Sequence, residues 1–253
     1  MIKRFIEISG KLASDVANVF LPPLCLACHT SLTTHNAVCP KCWSQINFIA
    51  PPFCDRLGIP LPYHTEGQML STQALTHPPV YDHARSAAYF EGPMRHLIHA
   101  FKYADRHEAI DLFARWLQHA GQDVLESADF LLPVPLHYQR LWARRFNQSA
   151  FLAKALSGYT GIPHNPFLLK RRKNTQSQVG LTLKQRQSNV SGAFHIDKTQ
   201  IKLLKGKEIV LVDDVLTSGS TVEACAGVLK KAGANKVNVL TIARVVTPKM
   251  LLQ

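Results

Sequence analysis

Four branched apolar residues in a row, Ile209-Val210-Leu211-Val212, end on two adjacent carboxylates, Asp213 and Asp214. A run without polar alternation suits a strand buried on both faces, and such strands belong to parallel sheets covered by helices on each side. The following Thr217, Ser218, Gly219, Ser220 and Thr221 open a helical pattern, so hydroxyls and backbone N–H groups collect where a helix begins. A phosphate fits that concavity: Gly219 allows close approach and a positive φ, and the positive end of the helix dipole favours an anion. The two acids suit a sugar diol or its bound magnesium, because carboxylates accept hydroxyl hydrogen bonds and Mg²⁺ takes oxygen ligands. A plain strand followed by a capped helix is the competing reading, and it leaves the paired acids without a reason. Neither G-x-x-x-x-G-K-[ST] nor G-x-G-x-x-G occurs, which sets aside the common nucleotide loops.

The remaining chain agrees with this class. From residue 84 onward apolar runs alternate with helical patterns, which reads as a βαβ succession and an α/β fold with a mostly parallel sheet flanked by helices. Strands are expected at residues 84–90, 130–134, 209–213 and 237–242. Helices are expected at residues 94–102, 109–124, 148–157 and 221–232, the last closed by Gly233. With 253 residues, 46% of them hydrophobic, the chain can bury one sizeable core and still carry a small module.

Three units follow: residues 1–20, residues 21–80 and residues 81–253. The first spaces Phe5, Ile8, Leu12, Val16 and Val19 at helical intervals. This is an amphipathic helix for core packing, a partner or a membrane surface. The second is rich in proline and poor in periodic runs, and cannot build a conventional core alone. No internal repeat is visible. There is no signal peptide and no run of about 18 apolar residues able to span a membrane, so a cytoplasmic address is expected.

Cys25, Cys28, Cys39 and Cys42 form two C-x-x-C pairs separated by ten residues. Each pair makes a tight knuckle aiming two sulfurs at one ion, and two knuckles complete the tetrahedron of a structural zinc site. Four thiolates leave no open coordination position, so a catalytic zinc is not expected. Metal binding then holds a segment with little core. His29 and His35 lie beside the cluster as surface residues, and Cys225 falls within a helix as a small buried hydrophobe.

Lysine and arginine number 29 against 17 acidic residues, a net charge of +12 that concentrates polyanions. The sequence Pro133-Val134-Pro135-Leu136-His137 leads into Arg140, Arg144, Arg145, Asn147 and Gln148, and guanidinium groups grip phosphate oxygens bidentately. A second basic stretch begins at Lys170, Arg171, Arg172 and Lys173 and continues through Gln178 and Arg186 to Phe194. It has little apolar periodicity and reads as a mobile loop or a solvated face.

Residues 212–221 (VDDVLTSGST) resemble the signature of type I phosphoribosyltransferases. That likeness implies that Asp213 and Asp214 contact ribose hydroxyls and that the turn from Thr217 to Thr221 grips a 5-phosphate. It implies 5-phosphoribosyl-1-pyrophosphate with magnesium as ligand, and Arg140 and Arg144 meeting the pyrophosphate. Thr217 stands where hypoxanthine-guanine enzymes carry an aspartate, which argues against that substrate. The cysteine pairs, residues 89–103 (YFEGPMRHLIHAFKY), the stretch from PVPLH to RRFNQ and the phosphoribosyl loop together resemble the ComF family, including its GntX-like members. The likeness spans nearly the whole chain. It implies a role in natural competence and DNA uptake, either as an enzyme or as a non-catalytic sensor, with single-stranded DNA or uptake proteins as partners. Two departures stand out: Arg145 replaces a glycine of R-G-F-N-Q, and Cys54-Asp55-Arg56-Leu57-Gly58 keeps one cysteine of a C-x-x-C-G. One zinc ion rather than two is therefore expected.

Overall fold

The computed structural model describes residues 22–63, 67–103, 107–144, 146–175 and 180–247. The expected helix over residues 1–20 lies outside them. Six strands are described: β1 (Ala84–Tyr89), β2 (Phe130–Pro133), β3 (Lys170–Arg171), β4 (Phe194–His195), β5 (Glu208–Leu216) and β6 (Lys236–Arg244). The helices are α1 (Pro40–Ser44), α2 (Thr72–Thr76), α3 (Gly92–Tyr103), α4 (Ile110–Ala120), α5 (Gln122–Leu125), α6 (Tyr138–Arg144), α7 (Gln148–Thr160), α8 (Leu183–Val190) and α9 (Ser220–Lys231).

Four strands form a parallel sheet in the order β1-β6-β5-β2. Its central strand is apolar on both faces, as the run from Ile209 to Val212 requires. Ile209 and Leu211 point into one cluster with Val222, Cys225, Ala226 and Leu229 of α9. Val210 and Val212 point into the other with Phe101 of α3, Phe113 of α4 and Leu152 and Leu156 of α7. The helix after β2 therefore covers one face and the helix after β5 the other. Strand order and helix side change together between β2 and β5, and crevices for ligands open at the carboxyl ends of strands at such a switch point.

The expected helix over residues 109–124 divides in two at Gly121. A Cβ there would stand 2.7 Å from Leu240 Cδ1 of β6, so glycine lets the chain pass close to the sheet without moving that side chain, and the helix restarts as α5. Residues 170–175 and 180–194 also hold more regular structure than expected. β3 and β4 pair antiparallel, and α8 begins with a reciprocal capping box between Thr182 and Gln185. Local caps supplied what apolar periodicity did not show.

The N-terminal residues meet the sheet in two places. Trp43 and Phe48 stack on Trp116 of α4, with centroid separations of 5.8 and 5.2 Å. Farther along, Leu57, Ile59, Leu61 and Ala74 enter the same core cluster as α9. Gly58 lies against the main chain of β1 at φ 63°, where a Cβ would sit 2.2 Å from the Ala84 carbonyl oxygen. Gly58→Ala therefore carries both the left-handed backbone cost, about 1–2 kcal/mol, and an unrelieved clash. Thermal melts should show it losing more than about 6 °C, given roughly 2–4 °C per kcal/mol at this size. Gly161→Ala, at φ 74° with open space around it, should lose less than half as much. Equal losses would show that the close approach is not tight.

Candidate functional site

β5 runs three residues farther than the expected 209–213, so the acids sit inside its second half. β2 pairs with it only as far as Pro133 against Val212, with one more bond from Val134 N to Val212 O (2.9 Å). Past that point Asp213 and Asp214 extend beyond β2, and β6 continues alongside through the pair Asp213 and Thr241. Asp213 Oδ1 accepts from Ser149 Oγ (2.9 Å) and from the Asp214 amide (2.9 Å). Asp214 Oδ1 meets Lys102 Nζ at 2.8 Å in a mostly buried ion pair. Burial, reinforced by the like charge of Asp214, pushes the Asp213 carboxyl up to about 7, against the pull of the Ser149 hydroxyl, the Asp214 amide and Lys102.

Ser149, which holds Asp213, comes from the stretch beginning at Phe146. Asn147 caps α7 by accepting from the Ser149 amide (3.1 Å) and donates to the Val134 carbonyl (3.3 Å). Gln148 Nε2 donates to the Lys102 carbonyl (3.2 Å), tying the end of α3 to the start of α7. Lys102 and Ser149 were not singled out from the sequence. The string FKY did contain Lys102, but nothing in the local pattern indicates a partner 112 residues away.

The turn after β5 brings Thr217, Ser218, Gly219, Ser220 and Thr221 to the start of α9. Gly219 is its N-cap at φ 80°, and no side chain caps the helix. Ser218 Oγ and Ser220 Oγ lie 3.0 Å apart. With twelve residues behind it, α9 presents first-turn amides and the positive end of its dipole beside two carboxylates. The hydroxyl turn follows the acidic pair directly in the chain, between the end of β5 and the start of α9. Arg140 and Arg144 lie on α6, one turn apart and so on one helix face, just beyond β2. Their side chains and all of Arg145 lie outside the described features. The second basic stretch is tied to itself instead: Lys170 pairs with Asp197 (2.6 Å), Lys173 Nζ donates to Ser191 O (2.8 Å), and the Arg171 guanidinium lies over the Phe194 ring.

The four cysteines converge, with all their sulfurs within 4.8 Å of one another. Sulfurs about 2.3 Å from one ion in a tetrahedron stand about 3.8 Å apart, and Cys28 Sγ and Cys39 Sγ are 3.7 Å apart. Amides already point at the sulfurs, from Cys39 to Cys25 Sγ (3.2 Å) and from Cys42 to Cys39 Sγ (3.4 Å). The Thr30 hydroxyl brings the exposed Cys28 thiol down to about 6. Although burial acts against it, the amides of Cys39, Cys28 and Ala27 lower Cys25. Burial raises Cys42, and a cation binding the set displaces its thiol protons. The donors fit a closed structural zinc site.

Comparison with known proteins gives the same two parts. The double zinc ribbon domain family matches residues 16–74, and the phosphoribosyl transferase domain family matches residues 148–250. Competence protein F of Haemophilus influenzae is 30% identical over 228 residues, covering 87% of this chain and 96% of that protein. The DNA utilization protein YhgH of Escherichia coli is 30% identical over 230 residues, covering 88% and 98%. Among solved structures, the allosteric regulatory enzyme of purine biosynthesis matches 57% of this chain and 30% of its own at 21% identity, with a TM-score of 0.38. The chain thus combines a structural zinc ribbon with a phosphoribosyltransferase domain.

The raised Asp213 has a consequence for stability. In the unfolded chain it ionises near the ordinary value of about 4, so between roughly pH 4 and 7 the folded state holds a proton that the unfolded state has released. Its contribution to stability falls as pH rises through that window and levels off above it. Asp213→Asn removes the titration while keeping an acceptor for Ser149. Its melting temperature relative to the parent should be higher at pH 8 than at pH 5, by at least about 2–4 °C for each ~1 kcal/mol. An offset that does not change with pH would contradict the burial of this carboxyl.

Proposed function

The chain belongs to the family of competence protein F, and from that premise we propose that its phosphoribosyltransferase domain binds 5-phosphoribosyl-1-pyrophosphate together with magnesium. One observation supports the reading: two carboxylates at the end of β5, past the last residue paired with β2, lead directly into a helix whose N-cap is a glycine with no capping side chain. In this reading Asp213 and Asp214 accept the ribose hydroxyls. The amides and hydroxyls from Thr217 to Thr221 hold the 5-phosphate. Arg140 and Arg144, on α6 beyond β2, meet the pyrophosphate. Magnesium would enter with the pyrophosphate and neutralise its charge, with the carboxylate oxygens of Asp213 and Asp214 as the hard donors nearby. Lys102 positions Asp214 and offsets part of the acidic charge before a ligand arrives. The address is the cytoplasm, where such a ligand is found and zinc thiolates stay reduced.

Calorimetry with this ligand and Mg²⁺ tests the site. The parent should bind with measurable heat, and Asp213→Asn combined with Asp214→Asn should weaken binding at least about 100-fold, or ~2.8 kcal/mol. Unchanged affinity would remove the reading. Transfer and sensing share this ligand: pyrophosphate release on adding candidate bases marks an enzyme, and binding without release marks a sensor.

A role in DNA uptake is the wider reading, supported by the names of the two relatives and by the net charge of +12. A particular observation favours direct contact with single-stranded DNA. Tyr138 and Trp142, one turn apart on the helix that carries Arg140 and Arg144, are 63% and 85% exposed. Exposed aromatic rings are what base stacking uses, at about 1–3 kcal/mol per base. Trp142→Ala should weaken binding to an unstructured oligonucleotide about tenfold, and parent affinity should fall linearly in log–log plots against salt. A flat salt response, or full affinity in the variant, would count against DNA contact at α6.

A further inference from the structure

The zinc-bearing segment and the one after it are the same structure built twice. In the first, the Cys25 amide bonds to Thr30 O (2.8 Å), the His29 amide to Cys25 O (3.0 Å) and the Leu32 amide to Pro23 O (2.7 Å). Twenty-nine residues on, the Cys54 amide bonds to Ile59 O (2.7 Å), the Gly58 amide to Cys54 O (2.7 Å) and the Leu61 amide to Pro52 O (2.9 Å). The bridge Leu24 to Ser31 becomes Phe53 to Pro60, and the left-handed residues His29 and Gly58 share a φ of 63°.

The second knuckles correspond as well, thirty-two residues apart. Cys39 caps α1 at φ −67° and ψ 157°, and Ser71 caps α2 at φ −70° and ψ 155°. The amide of Cys42 points at Cys39 Sγ (3.4 Å), and that of Ala74 at Ser71 Oγ (3.3 Å). The two knuckles are joined alike, by the Cys39 amide on Cys25 Sγ (3.2 Å) and the Ser71 amide on Cys54 Sγ (3.3 Å).

The ligand positions 25, 28, 39 and 42 thus map onto Cys54, Leu57, Ser71 and Ala74. That second set does not fit zinc. Leu57 and Ala74 have no donor atom, and one thiol with one neutral hydroxyl cannot complete a tetrahedron. The space is closed by apolar contact, because Cys54, Leu57 and Ala74 are buried within the core cluster of β5 and α9. The knuckle's carbonyls are instead held from the sheet. Arg85 Nη1 donates to Asp55 O (2.7 Å), the Ala84 amide to Arg56 O (2.9 Å), and Arg244 Nη1 to Leu57 O. Both arginines are buried.

We infer that residues 51–63 and 67–76 are a metal-free second ribbon in which packing on the phosphoribosyltransferase sheet, with Arg85 and Arg244 as clamps, does the work that zinc does in the first. The two halves then have separate sources of stability. Chelation opens residues 22–44 and leaves residues 51–63 and 67–76 closed.

Zinc analysis and hydrogen exchange on the full chain test this. The parent and Cys54→Ala should each hold one zinc per chain, whereas Leu57→Cys with Ser71→Cys and Ala74→Cys should hold two. A strong chelator should speed exchange in residues 22–44 at least about tenfold without changing residues 51–76. Two zinc ions in the parent, loss of metal in Cys54→Ala, or joint opening of both segments on chelation would overturn the inference. So would a folded triple variant that holds one zinc. If the triple variant does not fold, the chelation experiment decides alone.

Discussion

β5 is accompanied by β6 along its length but by β2 only as far as Val212, so the chain from Asp213 onward leaves the crowded part of the sheet and reaches the crevice. That mismatch in strand length is the constraint on which the site depends. The preceding four side chains are fully buried, each stabilising the fold by about 1.5–3 kcal/mol. A strand apolar on both faces cannot set its register by alternation, because a slip by one residue exchanges one buried face for another. The polar ends set it instead. At one end the Glu208 amide donates to Asp129 and its carboxylate meets Lys236 and Ser127. At the other stand Asp213, held by Ser149, and Asp214, held by Lys102. Moving the strand by one residue would bury Asp213 in the core and lose both sets of contacts.

The same placement puts function and stability in opposition. A carboxyl pushed up toward neutrality by burial is a group the fold would be more stable without, and such groups collect at sites that bind charge. Lys102, Ser149 and the Asp214 amide offset part of that cost. Asn147 and Gln148 act one layer out: they fix the start of α7 and the end of α3, and so aim Ser149 and Lys102.

Much of this was legible in the sequence, and what was missed has physical reasons. The apolar run, the acids and the hydroxyl turn are contiguous, so local pattern alone located the central strand and the helix after it. The cysteine spacing located the metal centre in the same way. Lys102 could not be read, because its partner is joined to it only by the fold. α8 lacks an apolar stripe and is specified by its capping box, which the search for periodicity passed over. The duplication within residues 22–76 was hidden because Leu57, Ser71 and Ala74 replaced three of four cysteines, while the repeat survives in main-chain hydrogen bonds that side-chain identities do not report.

At the centre stands the claim that the acids of β5 and the first amides of α9 hold one sugar phosphate between them. Hydrogen exchange resolved along the full chain, with and without phosphoribosyl pyrophosphate and Mg²⁺, addresses it most directly. The account predicts slowed exchange across residues 213–222, with residues 22–44 unchanged. Unaltered exchange at residues 213–222 under saturating ligand, or protection confined to the cysteine module, would contradict it.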